Sequence, residues 1–119
     1  MKSLLIGEAA STEVQQMIVA ALEDGPEVDR VIHMRTVHIS PDAILVAAKI
    51  AVRPADTAAQ VAAGIDAAER RVRTAVPIAE TIYLEPDIYR PGQEDPLDPS
   101  VAVVQRTTRR SRLRPPRRP

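Results

Sequence analysis

The 119-residue chain has a one-domain length and is formally neutral, with 16 Lys/Arg against 16 Asp/Glu. It holds no Cys, Phe or Trp and two Tyr, which excludes a disulfide framework, a thiolate metal cluster, a Cys nucleophile and extended aromatic stacking. No apolar run approaches the roughly 20 residues that span a bilayer and no signal segment opens the chain, so the expected compartment is the cytoplasm.

The neutrality conceals two unlike halves. Residues 1–90 carry 9 Lys/Arg and 13 Asp/Glu, net −4, whereas residues 91–119 carry 7 Arg and 3 acids, net +4. Taken in order, Thr12-Glu13-Val14-Gln15 has the form of a capping box, after which Val14, Met17, Ile18, Ala21 and Leu22 repeat at helical spacing up to Gly25-Pro26. From Val28 to Ile39 the chain is rich in β-branched residues, Ser40-Pro41-Asp42 marks a turn, and Ala43 to Arg53 reads as a second strand. In that strand the even positions Ile44, Val46, Ala48, Ile50 and Val52 define a face for helices. Leu45, Ala47, Lys49 and Arg53 point the other way.

Thr57-Ala58-Ala59-Gln60 offers another capping box, and Val61, Ile65, Ala68 and Val72 stripe a helix that reaches about Thr74. After Pro77, Glu80 to Glu85 alternates again, with Ile82 and Leu84 on one side and Thr81, Tyr83 and Glu85 on the other. The order α-β-β-α-β predicts an α+β fold: a ferredoxin-like two-layer sandwich lacking its first strand. Its three-stranded sheet carries two helices on one face and leaves the other open. Residues 91–119, rich in Pro and Arg with little apolar content after Val104, are expected to be disordered. A domain this small buries only about two-thirds of its unfolded surface, so association would add missing burial.

Four stretches in this order resemble the cytoplasmic C-terminal domain of cation diffusion facilitator transporters. They are Ser3-Leu4-Leu5-Ile6-Gly7-Glu8-Ala9-Ala10, Val31 to His38, Ile44 to Lys49, and Ile82 to Arg90. The first is similar to the junction that follows the last membrane helix of that family. The resemblance divides the chain into a linker at 1–10, a cation-efflux cytoplasmic domain at 11–90 and the tail at 91–119. It implies a ferredoxin-like, metallochaperone-like homodimer that regulates divalent-cation efflux, Zn²⁺ or a related cation bound at the dimer interface, and a transmembrane cation efflux domain as partner. Transport itself belongs to membrane helices, which this sequence does not contain.

Two histidines, His33 and His38, are the strong nitrogen donors available, and zinc takes three or four protein ligands. On one regular strand the two point to opposite faces unless a bulge intervenes. Where the family places ligand histidines, this sequence has Ala47 on the second strand and Tyr83 on the third, while Glu85 keeps a carboxylate. The metal candidates are therefore His33 and Glu85, with His38 less favoured. Leu45, Ala47 and Tyr83 are candidates for the dimer interface. The alternative for Glu85 is a cross-sheet ion pair with Arg35 or Lys49.

No nucleophile elbow, HExxH or phosphate-cradling glycine loop is present, so no enzymatic activity is expected and no cofactor is required. The tail arginines could touch an anionic surface, but the near-absence of aromatics argues against specific nucleic-acid reading. The function expected is a dimerising, regulatory domain of a zinc-type cation efflux system that cannot transport by itself. A free-standing ferredoxin-like metal carrier or small-ligand module is the alternative.

Overall fold

The computed structural model describes residues 7–92. Two helices, α1 (Thr12–Glu23) and α2 (Ala58–Ala75), and three strands, β1 (Arg30–Ser40), β2 (Ala43–Ala51) and β3 (Ala79–Asp87), follow in the order α1-β1-β2-α2-β3. Residues 1–6 and the Pro/Arg-rich stretch beyond Gly92, including the arginines expected to touch anionic surfaces, lie outside the described residues.

β1 and β2 form an antiparallel hairpin across a turn at Pro41-Asp42, and β2 and β3 run parallel in a sheet of order β1-β2-β3. The parallel pairing follows from the connection. A helix that crosses back over one face returns the chain to the start of the sheet, so the next strand points the same way. Both helices pack on one face, where Ile18, Leu22, Val31, Met34, Ile44, Val46, Ile50, Ala68, Val72 and Ile82 form the core. The alternation read from β2 holds, with Ile44, Val46, Ala48 and Ile50 buried.

The start of α1 differs from the capping box expected at Thr12. Ser11 is the N-cap, its hydroxyl accepting from the Val14 amide at 3.3 Å. Gln15 is buried instead of reaching back to the cap, and donates its Nε2 to the Ala10 carbonyl at 2.7 Å. The Ala10 amide in turn donates to Thr36 Oγ1 at 3.0 Å. Both polar groups of Ala10 are thus satisfied by side chains from α1 and β1, which fixes how the chain enters the helix. Just upstream, the Gly7 amide donates to the His38 carbonyl and the His38 amide to the Glu8 carbonyl, at 2.8 and 2.7 Å, so this segment lines the edge of β1. Met17 also departs from expectation. It is 47 % exposed, because the buried stripe of α1 runs through Ile18, Val19, Ala21 and Leu22.

For α2 the Thr57/Gln60 capping box is present in both directions, at 3.1 and 2.7 Å. Gly64 interrupts this helix at a known cost of about 1 kcal/mol relative to Ala. A Cβ there would come within 2.9 Å of the Glu27 Cβ, so the glycine lets α2 lie close against the turn after α1.

Besides packing in a common core, the two helices are linked by hydrogen bonds from one side chain. The last turn of α1 has no basic residue of its own, and Arg71 of α2 supplies the charge. Its Nε donates to the Ala21 carbonyl at 2.8 Å, Nη2 to the Leu22 carbonyl at 3.0 Å, and Nη1 to Glu27 Oε1 at 2.9 Å. Glu27's own backbone amide, then the Arg71 hydrogen bond and charge, hold its carboxyl below the ordinary value of 4.5, against the upward push of burial. Replacing Arg71 by Met is expected to lower the unfolding free energy by about 1–3 kcal/mol in urea titration, because two helix-end carbonyls and a carboxylate lose their donor together. A depressed folded-state pKa stabilises the fold above the unfolded value. Glu27's contribution should therefore be complete at neutral pH and fade as pH falls below about 4.5, and the Arg71→Met variant should show a shallower loss over that window.

Candidate functional site on the open sheet face

The face of the sheet away from the helices is set by a bulge in β1. Val31 pairs with Ile50 and His33 with Lys49, so Ile32 is an extra residue between them. Val31 therefore points to the helices, and after the bulge Met34, Thr36 and His38 do so as well. His33, Arg35 and Val37 point outward. Glu23 supports this irregular point, its Oε2 accepting from the Val31 amide at 2.9 Å.

With that register the outward side chains stack in rows across the three strands. His33, Lys49 and Glu85 are cross-strand neighbours, as are Arg35, Ala47 and Tyr83, and then Val37, Leu45 and Thr81. His33, Arg35, Ala47, Lys49, Tyr83 and Glu85 line an open groove of about 300 Å³. Tyr83 is 65 % exposed in the third strand.

The structure thus brings five residues read from the sequence, His33, Leu45, Ala47, Tyr83 and Glu85, onto one surface. It separates His38 from them. That side chain is buried on the helix side of the sheet, and its Nδ1 lies 3.1 Å from the Ser40 carbonyl, to which it donates. No bulge lies between His33 and His38, so the two rings face opposite ways.

His33 and Glu85 share a row but not a ligand sphere. They sit two strands apart, about 10 Å at ordinary strand spacing, and Lys49 stands between them. The Lys49 Nζ is 3.3 Å from Glu85 Oε2 and 3.8 Å from Asp87 Oδ2. Among the described residues no group of three His, Asp or Glu side chains is arranged to hold a metal ion. Within one copy these donors do not fit a zinc centre, which needs three or four ligands within about 2.0–2.3 Å.

Lys49 and Asp87 are the part of this surface that the sequence reading did not assemble. Lys49 was one of two alternatives for the Glu85 ion pair, and the register selects it over Arg35. Asp87 follows Glu85 by two residues, a spacing that places both carboxylates on one side of a strand. Near the end of β3, Arg30 lies over the Tyr89 ring, 4.1 Å from its centre.

A second, larger depression of about 710 Å³ lies between the helices, lined by Met17, Ala20, Ala67, Arg70, Thr74 and Ala75 among others. It explains the exposure of Met17. It holds no His and one carboxylate, Asp24, and so offers little for ligation.

No family model matches the chain, and no curated protein matches it. Among solved structures it is similar to a doubly substituted MamM C-terminal domain, with 29 % identity and a TM-score of 0.62 over 66 % of this chain and 93 % of that one. The nickel form of a singly substituted MamM C-terminal domain gives 26 % identity and a TM-score of 0.63 over 67 % of this chain and 100 % of that one. A copper form gives 28 % and 0.61 over 67 % and 87 %. These are cytoplasmic domains of the cation diffusion facilitator family, and the chain is similar to them in sequence and in fold. The related structures are transporter domains rather than enzymes. No helix among the described residues is long and apolar enough to cross a membrane.

The geometry separates the surface from the core within a single strand. Tyr83→Ala should change the unfolding free energy by no more than about 0.5 kcal/mol. Ile82→Ala, one residue earlier and buried, should cost about 2–5 kcal/mol. Chemical denaturation of the two variants beside the parent protein checks both values.

Proposed function

We propose that the chain is a pairing and regulatory domain for divalent-cation efflux, working on the cytoplasmic side of a transmembrane cation efflux domain. Two copies associate through their open sheet faces. The observation that carries this reading is the open face itself. Tyr83, Leu45 and Ala47 form an apolar centre on a sheet whose other side is already filled by both helices, and His33 with the charged Arg35, Lys49 and Glu85 borders it. An apolar centre with a polar rim is the usual make-up of a protein interface, and Tyr is favoured at its core.

The family supports the cation part of the reading, since related domains have been solved in nickel, cadmium and copper forms. Zinc is the cation we propose for the system. His33 and Glu85 of a single copy stand too far apart to share an ion.

The test is the mass of the full chain in solution at micromolar concentration, by sedimentation velocity, with Zn²⁺ and with EDTA. A dimer is expected in at least one of these conditions. Leu45→Asp and Tyr83→Asp should each convert it to monomer while leaving the unfolding midpoint within a few degrees of the parent, because a charge placed in the apolar centre opposes burial but not folding. A parent protein that stays monomeric in both buffers would remove the pairing function.

A further inference from the structure

On the pairing reading above, we infer that Lys49 is a built-in counter-cation that takes the place of a metal ion on this face, so that the two copies associate without a divalent cation. The inference begins from the mismatch between the donors and zinc. A face expected to gather ligands gathers one His and two carboxylates around an ammonium group. Lys49 Nζ lies within 4 Å of both Glu85 and Asp87, and His33 is its cross-strand neighbour on the other side.

Charge shows why such a group is required. Glu85 and Asp87 alternate on β3, so their carboxylates emerge on the same side about 7 Å apart. On a free surface water screens them. Once a second copy covers the face, uncompensated carboxylates become costly, because desolvation raises the penalty of a charge and sharpens the repulsion of its neighbours. In β2, whose sequence is Ala-Ile-Leu-Val-Ala-Ala-Lys-Ile-Ala, Lys49 is the single charged residue, and it stands at the register position that faces Glu85. Arg90 also approaches Asp87, at 3.9 Å, from the chain just beyond the strand. Lys49 bridges both acids. A divalent ion reaching them would first have to displace a tethered ammonium whose local concentration is set by the fold.

Lys49 and Glu85 are 35 % and 68 % exposed in the single copy, so each ion pair is weak there and gains strength only when covered. The inference therefore concerns association and not folding. Lys49→Met keeps the length and apolar stem of the side chain and removes its charge. Lys49→Arg keeps the charge.

The experiment measures the dimerisation constant of the full chain and both variants by sedimentation velocity at neutral pH, in EDTA and in sub-millimolar Zn²⁺. The parent and Lys49→Arg should associate equally in both buffers. Lys49→Met should associate about threefold to tenfold more weakly in EDTA, and Zn²⁺ should restore it. Parent association that requires Zn²⁺, or a Lys49→Met variant indistinguishable from the parent in EDTA, overturns the inference. If the parent is monomeric throughout, the pairing reading fails by itself, and Lys49 is then read on the monomer by NMR of the Glu85 and Asp87 side-chain carboxylates. Zn²⁺ should leave these signals in place in the parent and move them in Lys49→Met. Movement in the parent, or none in the variant, counts against a resident counter-cation.

Discussion

What β1 contributes to the open face depends on one residue too many in that strand. A strand without Ile32 as an insertion would alternate through Val31 and Met34 incompatibly, since two core residues three apart cannot share a face of a regular strand. The bulge resolves the conflict by letting both point to the helices. Its by-product is the outward turn of His33, Arg35 and Val37 into the rows completed by β2 and β3. The Glu23 carboxylate that receives the Val31 amide ties this irregular point to the last turn of α1, so the helix layer and the face behind it are set by the same contact.

The fold was largely legible because each element carried its own period. The β2 alternation, the α2 stripe and the Thr57/Gln60 box are local signals, and local signals survive in the structure. What misled was also local in form. Thr12 and Gln15 match a capping box, yet Ser11 lies one residue earlier and Gln15 finds a better partner in the Ala10 carbonyl, which a neighbouring strand has already brought into place. Met17 sits at helical spacing from the core, but it lines the open depression between the helices instead. Tertiary position decided both.

The candidate site was legible in its members and not in its arrangement. Alternation alone put Tyr83, Glu85, Leu45 and Ala47 on the outer face. Whether His33 joined them hung on the bulge, for which the sequence offers a signal after the fact: Val31-Ile32 is an apolar pair at which the in-and-out pattern of β1 changes parity. The position of Lys49 between His33 and Glu85 required the register of all three strands, and parallel register across a helical crossover has no turn chemistry to announce it. The same is true of Arg71. Its role as a terminal charge for α1 is invisible along α1 itself and depends on a side chain 49 residues further on from Leu22.

The parallel strand has a consequence in time as well as in space. β1 and β2 are joined by a two-residue turn and can close early, whereas β3 must wait for α2 to form and cross, a much longer closure. Yet β3 supplies Tyr83, Glu85 and Asp87 to the open face. An incomplete chain therefore displays Leu45 and Ala47 without the tyrosine and the acids that complete the face. The open face is complete only once β3 has joined the sheet.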